Sequence, residues 1–349
     1  MLRQVFRRPA ALVALLAAGL IAVTGCGDDD SASAGTSGGS GGDSTLTLVG
    51  YTTPREVYEE VIPAFQATPA GEGIEFEQSY GPSGDQSRAV EAGLDADVLV
   101  LSLAPDITRL EEPGLVDPTW DDGPTKGFVS TSAVVFLVRE GNPENIRTWD
   151  DLVKDGIEVI TPNPFSSGGA QWNVAAAYGA QLKAGKTKDQ ALEYLRTLFA
   201  NVPVQPKGAR ESLQVFQAGK GDVLLAYENE AKLAQANGEP VEFVIPDDTI
   251  LIQNPIAVTT NSGNPTAAQA FVDYALSAPA QEVFAKKGYR SVLPEVADTY
   301  AADFPEIPGL FTMDEDLGGW KAFRDEFFDP DNGYVADIFA DRGFSQEDE

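Results

Sequence analysis

Four stretches of this chain place small, uncharged residues at the start of an expected helix: Thr52-Thr53, Ser83-Gly84, Ser166-Ser167-Gly168-Gly169 and Gly208-Ala209. The first turn of a helix carries backbone N–H groups with no partner inside the helix, together with the positive end of its dipole. Glycine lets a ligand approach those amides closely. Any one of these loops reads equally well as an ordinary turn or cap. Their recurrence points to a site that holds an oxyanion with neutral donors.

Other chemistries are poorly served. The 349 residues include no histidine and a single cysteine, Cys26. Ser-His and Cys-His nucleophile pairs, and histidine or multi-cysteine metal sites, are therefore excluded. Residues 179–187 read G-x5-G-K-T, one residue longer than a phosphate loop, and are expected to be a helix end. Asp329-Pro-Asp331-Asn-Gly333 hints at a calcium loop but lacks its later acidic ligands. No metal and no cofactor is expected. The 54 acidic residues leave a carboxylate-dependent surface hydrolase open, although no spacing selects a catalytic pair.

Charge sharpens the problem. With 24 basic residues the net charge is −30, which rules out nucleic-acid binding through a basic surface. An anion would be repelled at long range, so near donors must overcome the field. The N-terminus reads as a secretory signal over 1–25, with Arg3, Arg7 and Arg8 ahead of an apolar run too short to span a membrane comfortably. Its removal takes three cations and no acid, moving the net charge to −33. Residues 26–44 begin with Cys26 and continue with Gly, Ser, Asp, Ala and Thr only, the composition of a flexible tether reaching roughly 25 Å. About three hundred further residues are large for one core, so two lobes are expected.

The elements that must position the loops alternate. Strands are expected at 46–50, 74–79, 96–102, 132–139, 159–160, 222–227 and 250–260, with helices between and after them. Thr53-Pro-Arg-Glu56 matches a capping box with proline at the first helical position, and Pro63 is expected to kink or end that helix. Thr148 and Thr187 read as caps of later helices. This is an α/β pattern with mainly parallel sheets, whose ligands bind at the carboxyl ends of the strands.

Longer strings around the loops carry a resemblance. Val159-Ile-Thr-Pro-Asn-Pro-Phe-Ser-Ser-Gly-Gly-Ala-Gln-Trp-Asn173 and Gln78-Ser-Tyr-Gly-Pro-Ser-Gly84 closely resemble the bacterial sulfate-binding proteins of sulfate/thiosulfate ABC importers. So do Gly221-Asp-Val-Leu-Leu-Ala-Tyr-Glu-Asn-Glu230 and Phe311-Thr-Met-Asp-Glu-Asp-Leu-Gly-Gly-Trp320. Val23-Thr-Gly-Cys26 resembles the lipobox of bacterial lipoproteins, in which the cysteine is lipidated. The family resemblance implies a two-lobe periplasmic-binding-protein fold of type II, each lobe a mainly parallel sheet flanked by helices, with the ligand in the cleft. The lobes would be 45–127 plus 259–349, and 128–258, with crossovers near 127–131 and 255–258. It implies a non-enzymatic, monomeric, extracytoplasmic receptor, lipid-anchored through Cys26 to the membrane, that delivers sulfate to an ABC permease. It also implies ligand positions: amides of Thr52 and Ser83 from the first lobe, then the Ser167 hydroxyl and the amides of Gly168, Gly169 and Ala209 from the second.

Two positions depart from the family pattern. Thr52 stands where an aspartate is usual, which removes a negative side chain and keeps the amide. Tyr227 stands where the relatives have a tryptophan whose indole N–H donates to the anion; a phenol donates at a different reach. Sulfate is expected because it is fully ionised and only accepts hydrogen bonds, whereas phosphate needs an acceptor for its proton. Thiosulfate, molybdate, tungstate and phosphate remain the alternatives. Substituting Ser83 by alanine is expected to matter little, because its amide survives.

Overall fold

The computed structural model describes residues 45–346; the signal, Cys26 and the tether expected over 1–44 lie outside the described residues. The chain runs β1 (Thr45–Tyr51), α1 (Arg55–Gln66), β2 (Glu75–Gly81), α2 (Ser83–Glu91), β3 (Val98–Val100), α3 (Ala104–Thr108) and β4 (Phe128–Arg139). After a single 3-10 turn at Trp149–Val153 come β5 (Val159–Ile160), α4 (Gly168–Lys183), α5 (Lys188–Ala200), α6 (Ala209–Gln217), β6 (Val223–Tyr227), α7 (Glu228–Ala236), β7 (Val241–Val244) and β8 (Asp248–Val258). The remainder is α8 (Pro265–Ala275), α9 (Ala278–Lys286), α10 (Pro294–Thr299), β9 (Gly309–Phe311), α11 (Met313–Asp316), α12 (Trp320–Phe327) and α13 (Tyr334–Arg342).

The sheet falls into two parallel groups sewn together by two long strands. β1 pairs in parallel with β2 and β3, and β5 pairs in parallel with β6. Among the described residues, every antiparallel pairing between strands involves β4 or β8. Those two run side by side over residues 128–133 and 251–255. β8 then continues beside β3, and β4 continues beside β6. The continuity of β4 follows from its sequence: residues 133–138 are apolar throughout and buried, as a strand covered on both faces requires.

Packing distributes the C-terminus unlike the lobe division expected from the sequence. Helices α8 and α9 cover the first group, where Phe271 and Phe284 lie against Tyr58 of α1 and Lys287 pairs with Glu60 at 2.5 Å. From Gly309 onward the contacts move to the second group. β9 pairs with Asp248–Ile250 of β8, and Phe327 lies 4.8 Å from Tyr178 of α4. Phe339 packs on Phe199 of α5, and Arg196 pairs with Asp341 at 2.6 Å. Residues 309–346 therefore pack with 128–258. The cause is hydrophobic: the phenylalanines of α12 and α13 cover the outer faces of α4 and α5.

Two local expectations are corrected. Helix α1 runs through Pro63 without a break, because Pro63 and Glu59, whose carbonyl loses its donor, both sit on the exposed face, where water can serve that carbonyl. Its N-cap is Pro54, and Thr53 supplies no cap; the Thr53 hydroxyl is buried against the Tyr289 hydroxyl at 3.1 Å. The box at Thr187 does form, with Gln190 bonding back to the Thr187 amide at 2.9 Å.

Candidate functional site

The carboxyl ends of β1, β2, β3 and β6 and the starts of α2, α4 and α6 meet around one small cavity. Thr52, Ser83, Ser167, Gly168, Gly169, Ala209 and Tyr227, all singled out by sequence, line it together. Tyr51, Thr53, Gly81, Pro82 and Ser102 complete the lining, so none of these residues carries an ionised side chain at neutral pH. Its free volume is about 10 Å3. That is no more than a single water needs, and far below the ~300 Å3 or more of an ordinary organic-ligand pocket.

The second group contributes donors from the starts of α4 and α6. Ser167 is the N-cap of α4, and its Oγ accepts from the Ala170 amide at 3.4 Å, which leaves the hydroxyl proton free to donate elsewhere. Helix α4 starts at Gly168, so Gly168 and Gly169 supply first-turn amides. No acid occupies that first turn, so nothing on the helix itself spends its dipole. Ala209 is the first residue of α6, after an extended Gly208.

From the first group, Ser83 opens α2 and offers its amide, while its side chain is committed elsewhere. Ser83 Oγ donates to Asp106 Oδ2 at 2.6 Å and accepts from the Ser102 amide at 2.9 Å. The alanine substitution at Ser83, expected to be silent, would instead strip a partner from a buried carboxylate. The Asp106 carboxylate is otherwise faced by Arg324 Nη1 at 3.9 Å.

Tyr227 is buried and caps α7, with its hydroxyl 2.6 Å from Ser102 Oγ. Burial raises its phenol well above the ordinary range, so it is a neutral hydroxyl at any physiological pH. One turn further, Glu230 is buried and receives the Tyr227 amide at 3.4 Å. Burial pushes its carboxyl up to about 7, against the opposing pull of the Tyr227 N–H and the Arg210 charge. Ser102 escapes sequence reading because it sits between two leucines without glycine; its one signal is its place just past the end of a strand, where open sheets bind ligands.

The two groups touch across the cavity. The Gly84 amide donates to Ser166 O at 3.1 Å, Arg88 Nη1 to Phe165 O at 3.2 Å, and Trp172 Nε1 to Ser102 O at 2.9 Å. Arg210, beside Ala209, pairs with Glu56 of α1 at 2.7 Å. The other two candidate motifs are structural. Gly179 lies inside α4 against Phe311, and the Asp329 carboxylate accepts the amides of Asp331 and Asn332 in a turn ahead of α13.

Residues 46–290 match the family model of bacterial extracellular solute-binding proteins. A sulfate-binding protein of Synechococcus elongatus is 44% identical over 90% of this chain and 91% of that protein. The solved structure of the sulfate-binding protein SubI from Mycobacterium tuberculosis H37Rv is 44% identical and covers 82% of this chain and 99% of that one, with a TM-score of 0.79. A thiosulfate-binding protein of Pseudomonas aeruginosa is more distant, at 34% identity over 84% of this chain and 92% of that protein.

Proposed function

This chain belongs to the bacterial extracellular solute-binding proteins and, within them, to the sulfate-binding group, and on that premise we propose that it captures sulfate outside the cytoplasm and delivers it to an ABC permease. The observation that carries the reading is the small cavity of neutral donors. A lining this close-set leaves no room for a hydration shell, so an ion entering it would come dehydrated. Desolvating a dianion is costly unless hydrogen bonds replace the lost water. The Ser167 hydroxyl and the amides of Thr52, Ser83, Gly168, Gly169 and Ala209 are the replacements, aimed before the ion arrives. A lining with no carboxylate has no strong acceptor for the proton of hydrogen phosphate, which favours a fully ionised oxyanion.

In this reading the lobes are 45–127 plus 259–308, and 128–258 plus the C-terminal stretch that packs on it. The paired segments 128–133 and 251–255 form the hinge ribbon. Closure brings Gly84 to Ser166 and Arg210 to Glu56. Cys26 carries the lipid anchor, and the receptor works as a monomer.

Isothermal calorimetry on the full-length protein in detergent tests the ligand. Sulfate should bind stoichiometrically and displace thiosulfate, molybdate and phosphate in competition. A tighter affinity for any of those three would transfer the assignment to it. Replacing Cys26 by serine should shift the protein from membrane to soluble fractions without changing sulfate affinity; retention on membranes would refute the anchor.

A further inference from the structure

Ser102 is more heavily committed than any residue that sequence reading assigned to the site. Its amide donates to Ser83 Oγ at 2.9 Å. Its carbonyl accepts from Trp172 Nε1 at 2.9 Å and from Asn254 Nδ2 of β8 at 3.1 Å. A methyl group placed on Gly168 would come within 2.9 Å of Ser102 Cβ and Oγ, so α4 holds the serine side chain in place. The backbone of Ser102 is thus fixed by three partners and its hydroxyl is steered toward Tyr227.

The proton count between those two hydroxyls is informative. Ser102 Oγ and Tyr227 OH are 2.6 Å apart, both residues are at most 2% exposed, and both line the cavity. Each group carries one proton, and the hydrogen bond between them uses one of the two. Whichever member donates, the other keeps an O–H with no further partner among the hydrogen bonds described. A buried hydroxyl proton left without an acceptor is unfavourable. The cavity is where an acceptor would come.

We propose that Ser102 and Tyr227 act as one two-hydroxyl donor closing across the cleft, and that Ser102 is a binding residue of the anion site. This rests on the oxyanion-receptor reading above. The pair answers how a tyrosine serves where a single N–H donor would otherwise stand: the serine bridges the difference in reach and fixes the direction of the phenol. Because the two hydroxyls come from opposite lobes, the donor is complete only when the cleft is closed.

The test is a double-mutant cycle on full-length protein, with sulfate as the probe in calorimetry. Ser102→Ala and Tyr227→Phe should each weaken sulfate binding about tenfold. The double variant should lie within about threefold of the weaker single variant, because removing either half disables the unit. Ligand-free melting temperatures should stay close to wild type. Wild-type affinity in Ser102→Ala, or losses that multiply to about a hundredfold in the double variant, would overturn the unit. A large drop in ligand-free melting with affinity unchanged would make Ser102 a structural tie only. Should Ser102→Ala fail to fold, Tyr227→Phe decides alone, and unchanged affinity there refutes the pair. A wild-type protein that ignores sulfate would sink the functional reading itself, an outcome distinct from all of these.

Discussion

Helix α7 begins with two adjacent residues that serve opposite designs for holding negative charge. Tyr227 faces the neutral cavity, which on the proposed function receives an anion that arrives and leaves. Glu228, the next residue, is itself a fully buried anion that never leaves, and it is met by Arg290 Nε at 2.7 Å with Lys232 at 3.7 Å. A permanent buried charge is secured by a counter-charge because breaking the pair strands an ion in a low dielectric. A resident cation would hold a passing dianion too strongly and would itself be stranded each time the ligand left. Dipoles fixed by helices avoid both problems. Glu230, two residues on, has neither arrangement in full, and burial raises it to about 7.

The difference can be tested in order of expected effect. Arg290→Met should destabilise the fold by about 3–5 kcal/mol in urea denaturation, since it leaves Glu228 buried with only Lys232 nearby; a loss under about 1 kcal/mol would mean that this carboxylate needs no cation.

Glu230→Gln comes next. The folded-state value is raised above the ordinary 4.5, so the folded protein holds this proton more tightly than the unfolded chain does. Stability should therefore fall as pH rises from about 4.5 to about 7, by roughly 3 kcal/mol in total, and change little from this group above that. The glutamine variant should lack this decline when melting is followed against pH. An identical pH profile for the two proteins would contradict the burial of the carboxyl.

Ser167→Ala should reverse the pattern seen at Arg290, with sulfate affinity weakened by about 1.5–3 kcal/mol and ligand-free stability lowered only by the ~0.5–1 kcal/mol of a long N-cap bond. Equal losses in affinity and stability would blur the distinction between cradle and scaffold. The smallest effect is expected for Arg210→Gln. The pair with Glu56 is about a third exposed, so its removal should cost no more than about 1 kcal/mol, seen as faster sulfate release in stopped flow.

Much of this site was readable in advance, for a physical reason. An anion held by helix starts needs glycine and serine at particular offsets, and those residues stand out in the chain as Ser83-Gly84 and Ser167-Gly168-Gly169. The strand-helix alternation is equally local, and β5 and the Thr187 cap appear where periodicity and capping rules put them. What stayed hidden depends on distant partners. Ser102 looks like part of an apolar strand until Trp172, Asn254 and Tyr227 surround it. Thr53 looks like a cap until Tyr289, more than two hundred residues away, takes its hydroxyl. The placement of α12 and α13 on α4 and α5 rests on ring packing between segments far apart in the chain.

Gly168 has one more consequence. With no side chain there, α4 comes to rest against Ser102 and Leu103, at a separation that a single methyl group would prevent. On the proposed two-lobe reading the residue would work as a gauge, setting how near the lobes can come and so the diameter of the space between them. An anion with longer bonds than sulfate would hold the lobes apart, stretch the Gly84 amide away from Ser166 and part the two hydroxyls of Ser102 and Tyr227. Selection by size would then be measured in lost cross-cleft hydrogen bonds rather than in poorer contacts to the ion, and a missing carbon atom would set the limit.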